Sequence, residues 1–494
     1  MTLHLVLPVV LPLVGAVLCL LFYRMPRVQR MVALSACVGL LLYLAGVLWP
    51  VLSRAGYATL RVGNWPAPYG IVLAVDVLSA IMLSLAAVVG LIVLMYAGAW
   101  FRGEPEEPLL YPLYLVLLMG LNGAFLTGDI FNLYVFFEVM LVSSFGLMVL
   151  GGARRQIEGT VKYLAISQVS SVLFLIGAGL LYGLAGTLNM ADLARKLAVP
   201  GAAPYTAIVA LLFLGAFGIK AAVFPLFFWL PASYHVAKTP VGAIFAGLLA
   251  EVGVYGLCRV YTLLFPAQWP AQSGLLLAIA AITMLVGVLG AIAQNDIKRV
   301  LSFDIISQIG YLVMALGVRS PLAVAAGVYF MIHIALVKTS LFLLAGVAER
   351  ATGSADLREM GGLLRREPVV ALFFLVMALA LAGVPPLSGF YAKLGLVLAA
   401  VEAGEYAVAG AALATSLLTL YVMARVWTLA FMRAKSEQGP AQVRAGRALL
   451  APAAGLSTLA VTAALLAAPA LALAQRAAAQ LADTAPYIAA VLGG

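Results

Sequence analysis

Apolar stretches of about twenty residues recur along almost the whole sequence, and they constrain the fold more than any other feature. A helix needs about 20 apolar residues to cross the hydrocarbon core of a bilayer. Because backbone polar groups in lipid must be satisfied within one segment, these stretches predict an all-α integral membrane protein. We expect fourteen transmembrane helices, at 3–23, 30–50, 71–101, 109–127, 129–150, 158–184, 204–230, 238–265, 271–293, 297–317, 321–348, 368–397, 403–432 and 449–474.

Charged residues are scarce, which excludes a soluble protein. Only 10% of the residues are charged and 65% are hydrophobic, whereas soluble domains carry roughly 25% charged residues. The net charge of +10 comes from basic residues in the loops between apolar stretches. Nucleic-acid binding needs basic residues clustered beside aromatic ones in a soluble domain. The lipid bilayer is therefore an expected partner, and nucleic acid is not.

Cysteine and histidine usage argues against a redox protein. Cys19, Cys37 and Cys258 stand alone inside apolar stretches, without CxxC or Cys/His spacing. Disulfides, zinc sites and iron–sulfur clusters all need such spacings. The three histidines lie far apart along the chain, so the pair of helix histidines that a b-type haem needs is absent. We expect no cofactor and no metal site.

Loop charges predict the orientation in the membrane. The loops that follow odd-numbered spans hold about seventeen Lys and Arg residues, Lys435 and Arg444 among them, against about six elsewhere. Cytoplasmic loops of membrane proteins carry the excess of Lys and Arg. The first span, Leu3 to Tyr23, lacks a basic region before it, so we interpret it as a helix and not as a cleaved signal. These points predict a multi-pass protein of the inner (plasma) membrane with both termini on the outer side.

Two spans contain prolines that should interrupt them. The seventh reads GIKAAVFPLFFWLP, with Pro225 five residues after Lys220, and the twelfth reads LAGVPPLSGFYAKLGL, with Pro385 and Pro386 before Lys393. Proline disrupts a helix, and the freed polar groups are tolerated only inside protein or beside water. Two interrupted spans five positions apart predict inverted repeats with a site at each break. The alternative is that these prolines only kink their helices.

The repeats divide the chain into four parts. Residues 1–108 hold the first three spans, and 109–265 form the first five-helix repeat, spans 4–8. Residues 266–432 form the second repeat, spans 9–13, and 433–494 hold the last span and a tail. Each repeat contains one interrupted span.

Ionisable residues inside the spans are the functional candidates, since a charge at mid-bilayer costs about 2.5–3.5 kcal/mol. Glu138 and Lys220 lie at similar depth near the middle of spans 5 and 7. Facing each other, they would share the cost of burial. Lysine, unlike arginine, can release its proton in an apolar site. A Glu/Lys pair with a variable separation would act as a proton switch, and the alternative is a structural ion pair.

The other candidates lie in the second half and at the span ends. Lys338 follows His333 by five residues, so both project to neighbouring faces of one helix, and histidine can pass protons near neutral pH. A hydrogen-bonded core histidine is the alternative. Lys393 would end a second half-channel, unless it reaches to the interface. We expect a structural role for Asp76, paired with a lysine of another helix. Lys162 is a further candidate near the start of span 6, with reach to the interface as the alternative.

Four motifs carry a resemblance to a known family. They are PLFFWLPASYHVAKTPVGAIFAGLLAEVGVYGLCR, NDIKRVLSFDIISQIGYLVMALG, HIALVKTSLFLLAG and GVPPLSGFYAKLGL, in that order. From about residue 60 to 430 the chain resembles the antiporter-like proton-translocating subunits of respiratory complex I and of Mrp cation/proton antiporters. The resemblance implies fourteen helices, interrupted helices 7 and 12 and a hydrophilic axis along the membrane plane. It also implies a glutamate–lysine pair at Glu138 and Lys220, a central lysine at Lys338 and a terminal lysine at Lys393.

One position departs from the family pattern. Glu251, in LLAEVGVYG, stands where the family usually has lysine at the link between the half-channels. A carboxylate can still pass a proton. Its pairing with the neighbouring lysines must differ.

Within that family the chain is most similar to D-type Mrp subunits, because it has lysine at 393 and lacks a C-terminal extension. The resemblance implies a proton-translocating subunit of a multisubunit cation/proton antiporter, with H⁺, Na⁺ or another monovalent cation, and further membrane subunits as partners. The relay would use Glu138, Lys220, Glu251, Lys338 and Lys393. Such a chain is not an enzyme by itself. The alternatives are a proton-pumping subunit of a complex I-like NADH or ferredoxin dehydrogenase or membrane hydrogenase, and a scaffold without transport.

Overall fold

The structure is a computed structural model that describes residues 3–198, 203–434 and 446–493. Two of the loop cations used for the orientation, Lys435 and Arg444, lie outside the described residues. The described chain is almost entirely helical. One short hairpin is the exception.

The first half of the chain forms ten helices and a two-stranded sheet. The strands are β1 Ala58–Arg61 and β2 Val72–Val75, which pair antiparallel with Ala58 opposite Val75. The helices are α1 Leu7–Leu21, α2 Pro26–Ala55, α3 Val77–Trp100, α4 Glu107–Leu126, α5 Ile130–Met148, α6 Arg154–Ala185, α7 Met190–Leu197, α8 Ala203–Ala221, α9 Trp229–Ser233 and α10 Thr239–Leu264.

The second half is wholly helical in its described parts. Its helices are α11 Trp269–Ile292, α12 Ile297–Val318, α13 Pro321–Thr352, α14 Leu363–Arg366, α15 Pro368–Ala382, α16 Ser388–Glu402, α17 Tyr406–Met432, α18 Arg447–Leu465, α19 Ala467–Ala482 and α20 Ala485–Leu492. The tail after the last predicted span is therefore also helical. Through Gln480 it contacts the start of α3, because that side chain accepts a hydrogen bond from the Val77 amide at 2.8 Å.

Twelve helices of the described residues are long and apolar enough to cross a membrane. Two further apolar helices, Tyr205–Ala221 and Pro368–Ala382, are shorter. They lie where the sequence predicts the interrupted spans. The predicted all-α membrane architecture is confirmed, whereas the count of fourteen and the inverted repeat stay predictions.

The third predicted span, 71–101, is wrong at its start. Residues Val72–Val75 are strand β2, and α3 begins only at Val77. Asp76 precedes the helix as its N-cap, and its side chain accepts a hydrogen bond from the Ser79 amide at 2.8 Å. Because the strand is apolar throughout, its hydrophobic pattern cannot be separated from that of the following helix.

The first interruption follows Lys220 directly. Helix α8 ends at Ala221, and Ala222 has a positive φ of 59°. The freed backbone groups find partners inside the protein: the Phe224 amide donates to Thr283 of α11 at 3.0 Å, and the Trp229 indole donates to the Ile219 carbonyl at 2.9 Å. The break predicted at Pro225 within span 204–230 is therefore present, between Ala221 and Trp229.

The second interruption lies before Lys393 in the chain, whereas the first interruption lies after Lys220. Helix α15 ends at Ala382 and α16 begins at Ser388. The last carbonyls of a helix lack partners within it. Here side chains supply them, since the Lys393 ammonium donates to the Leu381 carbonyl at 2.8 Å and the Ser416 hydroxyl donates to the Ala382 carbonyl at 2.6 Å. The break thus places a lysine against the end of a helix.

Three helices form the inside of the bundle. The most apolar stretches of α10, α12 and α13 are buried almost completely, whereas two thirds of those in α1 and α2 face outward. Long apolar helices that are buried all round belong to the interior of a larger assembly of helices. These three inner helices carry Glu251, Arg259, Asp304, His333 and Lys338.

Gly253 sets the approach of α10 to the first interruption. A Cβ atom at this position would lie 2.6 Å from the Ala221 amide nitrogen, which is backbone and cannot turn aside. We expect Gly253→Ala to destabilise the protein by about 1–3 kcal/mol, the usual cost of overpacking. Gly179→Ala on α6, where nothing lies within 4 Å, is the matched control. Thermal unfolding of the purified protein measures both, and equal melting temperatures would contradict the prediction.

Candidate functional site

Glu138 and Lys220 are joined through a serine. The Ser171 hydroxyl, on α6, donates a hydrogen bond to the Glu138 carboxylate. The Lys220 ammonium in turn lies 3.4 Å from the Ser171 hydroxyl and 3.4 Å from the Ser167 carbonyl. No ion pair within the described ranges joins Glu138 to Lys220 directly. Glu138 and Lys220 therefore approach the same hydroxyl from two sides, and the Glu/Lys proton switch stays a prediction.

Aromatic packing fixes the spacing of the helices that carry this bridge. Phe137 of α5, Phe174 of α6 and Phe217 of α8 contact one another with ring centroids 5.1–6.0 Å apart. Edge-to-face pairs at such distances are favourable beyond their buried area. The three rings pack α5, α6 and α8 together, and Phe137 is next to Glu138 in the sequence. They hold α5, α6 and α8 at the separation that the serine bridge needs.

Glu251 is fully buried on α10, and neither carboxylate oxygen has a hydrogen-bond partner in the described protein. It lies two residues after a π-helical turn, Phe245–Leu249, of a kind frequent at functional sites. Gly253 packs against the backbone of Lys220, and Gly247 packs against the Ala335 carbonyl of α13. Glu251 thus lies on the helix between the two lysine-bearing helices. A buried polar group without a partner requires an explanation, and proton transfer supplies one.

Lys338 has an acidic partner that the sequence analysis missed. Its ammonium forms an ion pair with Asp304 of α12, and both side chains are fully buried. The Gln308 side chain donates a hydrogen bond to the other Asp304 oxygen at 3.1 Å. The cost of a charge in an apolar span applies to Asp304 as to the other candidates. The same argument, applied to every acidic residue in the quoted motifs, would have found it.

His333 contacts a different helix from Lys338. Its Nδ1 lies 2.8 Å from the hydroxyl of Ser388, the first residue of α16, and its ring stacks on Phe330. Its Nε2 has no partner among the described side chains. His333 therefore connects α13 to the second interruption, whereas Lys338 faces α12. The expectation that both border one cavity is not met by these contacts.

Lys393 is buried and does not reach to the interface. Its ammonium lies 2.8 Å from the Leu381 carbonyl, 3.5 Å from the Ser416 hydroxyl and 4.7 Å from the centre of the Tyr311 ring. A cation is favoured at the C-terminal end of a helix dipole and over an aromatic face. A cavity of about 160 Å³ borders Lys393, Tyr311 and Ser416. Phe390, Leu394 and Val397 also line this cavity, so much of its wall is apolar.

Asp76 pairs with an arginine and not with a lysine as expected. Arg259, near the end of α10, binds both Asp76 oxygens, at 2.5 and 2.7 Å, and lies 3.0 Å from the Ser79 hydroxyl. Both residues are buried. Such a two-point pair positions the end of α10 against the start of α3. Arg259 stands in the quoted motif but was not recognised as a buried charge.

Lys162 lies outside this group. It pairs with Glu158 one helical turn earlier at 2.6 Å, and both side chains are more than half exposed. The contact is a surface pair on α6. Such pairs contribute little to stability.

A polar cavity of about 660 Å³ opens at one end of the bundle. We name it the polar vestibule; Arg155, Lys238, Lys298, Glu349 and Asp356 are among its lining residues. Lys298 and Glu349 form an ion pair at 3.2 Å. The vestibule lies at the loops that the charge distribution assigns to the cytoplasm. Its lining is polar and charged, as a water-filled entrance requires.

His235 lines the vestibule in the short turn between α9 and α10. Burial, followed by the charge of Arg299, lowers the pKa of His235 to about 4 from its ordinary 6.5. Between these values the unfolded chain takes up a proton that the folded chain refuses, so the folded state loses stability as the pH falls from 6.5 to about 4.

The variant His235→Gln should remove about 1–3 kcal/mol of this acid destabilisation and change nothing above pH 7. Melting temperatures of the purified protein at several pH values between 4.5 and 7.5 measure it. His4→Gln, a histidine outside the vestibule, is the control. Parallel pH dependence in wild type and His235→Gln would refute the prediction.

Sequence comparison identifies the family. Residues 127–419 match the family described as NADH:quinone oxidoreductase/Mrp antiporter, TM, which is more than half of the chain. The chain belongs to this family. The antiporter-family membership predicted from the four motifs is confirmed, and the chain is a multi-pass integral membrane protein of that family.

The relatives of this antiporter-family chain cover its whole length. It is 42% identical over 491 residues, 99% of either sequence, to the D-type subunit of the Na(+)/H(+) antiporter of Alkalihalophilus pseudofirmus. A chain in the structure of the Mrp complex from Dietzia sp. DQ12-45-1b superposes with a TM-score of 0.92 at 32% identity, covering 100% of both chains. A chain of the membrane-bound sulfane sulfur reductase, an archaeal respiratory membrane complex, gives 0.88 at 27% identity, also covering 100% of both.

Proposed function

We propose that this chain is the D-type, proton-translocating subunit of a multisubunit Na⁺/H⁺ antiporter. The observation that supports it most is the series of buried and half-buried ionisable side chains across α5, α8, α10, α13 and α16, in a chain of this family. The members are Glu138, Lys220, Glu251, Lys338 and Lys393, with His333 beside the last two. Natural membrane proteins keep such costly groups where ions or protons move.

The contacts support a direction of proton donation in the first part of the series. The Lys220 ammonium faces the Ser171 hydroxyl, and that hydroxyl donates to Glu138. Besides its contact with the Ser167 carbonyl, Lys220 donates along a path that ends at the carboxylate. A proton released by Lys220 thus reaches Glu138 by two short transfers. Arginine at position 220 could not start this sequence, because it does not release its proton.

The second part of the series depends on Glu251. This carboxylate lies on α10 between the helices of Lys220 and Lys338, and neither oxygen is committed to another group of the described protein. We propose that it passes protons between the two halves, with His333 and Lys393 leading to the cavity at the second interruption. A carboxylate serves this task as well as the lysine usual in the family. Without its proton it is negatively charged, whereas a deprotonated lysine is neutral.

The coupling ion and the partners follow from the relatives. The curated relative is named as part of a Na(+)/H(+) antiporter, and the solved relative is part of a complex. We propose Na⁺ as the exchanged cation and other membrane subunits as partners. In this proposal the polar vestibule faces the cytoplasm of a cell-membrane complex, and both termini lie outside.

A proton-pumping subunit of a redox complex is the second candidate. The likeness to a chain of the sulfane sulfur reductase complex favours it. In that role protons would move only while other subunits transfer electrons. Adding an electron donor, instead of a cation, would then drive proton movement.

The deciding experiment uses inverted vesicles that carry the complete complex in an antiporter-deficient host. A pH gradient is established, and Na⁺, K⁺ or Li⁺ is added in turn. We expect Na⁺ to dissipate the gradient, and Glu138→Ala and Lys220→Ala to abolish the effect while the complex still assembles. Unchanged transport in both assembled variants would leave only the scaffold role. Proton movement driven by an electron donor, without added cation, would establish the redox-complex subunit instead.

A further inference from the structure

Backbone contacts in the two halves recur with one constant offset. Asp129 bridges to Asn189 and Asp296 bridges to Asp356, so both partners shift by 167 positions. The hydrogen bond from the Ile130 amide to the residue 188 carbonyl is 2.9 Å long, and the bond 167 positions later, from 297 to 355, is also 2.9 Å. Asp296 and Asp356 of the second bridge line the polar vestibule, together with the start of α6. Asn189 of the first bridge follows the other end of α6. The two bridges therefore lie at opposite ends of the bundle.

Helix contacts recur with the same offset. In each half, two glycines of one helix receive two side chains of the next, and the helices involved are α4 with α5 and α11 with α12. The glycine contacts are Gly120 with Met140, Gly123 with Phe136, Gly287 with Ser307 and Gly290 with Phe303. Because glycines fix how closely two helices approach, α5 and α12 stand in equivalent places.

This offset relates the two carboxylate contacts of the site. Ser171 corresponds to Lys338, 167 positions later, so α6 and α13 present equivalent positions. Position 138 corresponds to 305, and Asp304 precedes it by one residue. In the first half Glu138 of α5 receives the hydrogen bond of Ser171, and in the second Asp304 of α12 receives the ammonium of Lys338. Each half thus joins a carboxylate to the same place on the following helix.

We propose that Asp304 is the positioning carboxylate of the second half, which holds the Lys338 ammonium in place for proton transfer as Glu138 holds the Ser171–Lys220 bridge. The inference rests on the proposed transport function and adds a residue to it. Lys338 is fully buried and makes no other ion pair in the described ranges. Gln308 fixes Asp304 from the other side at 3.1 Å. With Lys338 held by Asp304, both oxygens of Glu251 remain open to the first half.

Four variants in the vesicle assay test this. They are Asp304→Asn, Asp304→Glu, Lys338→Gln and the double variant Asp304→Asn/Lys338→Gln. We expect Asp304→Asn to slow cation-dependent proton movement at least about tenfold, in the range for loss of one proton-relay group. Asp304→Glu should keep at least roughly a third of the rate, because a carboxylate is retained. The double variant should be no slower than Lys338→Gln alone, since Asp304 acts through Lys338.

The control is Glu158→Gln, which neutralises the carboxylate of an exposed Glu–Lys pair. It should transport at the wild-type rate. Native gels give the amount of assembled complex for every variant. If Asp304→Asn assembles poorly, the double variant, which leaves no unpaired charge, provides the comparison with Lys338→Gln.

Wild-type transport by assembled Asp304→Asn would overturn the proposal, as would equal losses in Asp304→Asn and Asp304→Glu or independent, multiplied losses in the double variant. These results leave the proposed function intact if Glu138→Ala and Lys220→Ala still abolish transport. If those two variants also transport normally, the proposed function itself has failed.

Discussion

Replacing Lys220 by arginine should stop cation-driven proton movement, although the positive charge is kept. Arginine does not release its proton in proteins, so the step from position 220 through Ser171 to Glu138 cannot begin. We expect a loss of roughly 10²-fold or more in the initial rate, the range seen when a proton-transfer group is removed. The vesicle assay measures it, with the assembled complex quantified in parallel.

The arginine variant separates the relay from a structural ion pair. If the pair only connects α8 to α5 and α6, the Lys220→Arg variant keeps the positive charge that this needs. The variant complex would then transport at the normal rate. Ser171→Ala is the companion variant, because it removes the hydroxyl that joins the two charges. Normal transport in both variants would show that protons do not pass through this bridge.

Removing Asp76 should produce the largest loss of stability. The Asp76→Ala variant leaves the Arg259 guanidinium buried without its carboxylate partner. Breaking a buried ion pair from one side costs about 3–5 kcal/mol. We expect a marked fall in the melting temperature of the purified protein and less assembled complex. The double variant Asp76→Ala/Arg259→Met, which leaves no buried charge, should recover most of the loss.

The double variant also serves as the control for this prediction. If Asp76→Ala and the double variant unfold at the same temperature, unpaired charge is not the cause of the loss. If Asp76→Ala unfolds like wild type, the pair does not stabilise the protein at all. In either case the assignment of Asp76 and Arg259 as a structural pair would be wrong.

Most helices could be predicted from the sequence because lipid imposes one requirement on every span. An apolar stretch must be long enough to cross the bilayer and must form its backbone hydrogen bonds within itself. The approximate bounds of most helices therefore follow from the hydrophobic stretches. Pro225 and the Pro385–Pro386 pair marked both interruptions correctly. The prediction failed at Val72–Val75, where an apolar strand runs into a helix without any change in hydrophobicity.

The candidate site was predicted residue by residue but not in its contacts. The cost of a buried charge identifies Glu138, Lys220 and Lys338, and it applies equally to Asp304 and Arg259, which were overlooked. Ser171 could not have been found in this way. Serines are common between membrane helices, and only the coordinates show that this one stands between two charges.

The serine bridge has a consequence for how successive protons would pass from Lys220 to Glu138. Once its hydroxyl has given a hydrogen to Glu138 and taken another from Lys220, its O–H bond faces the lysine. A second passage in the same sense must wait until that bond swings back. The bridge would therefore pass one proton for each reorientation of the Ser171 hydroxyl, and every further proton would need a new reorientation.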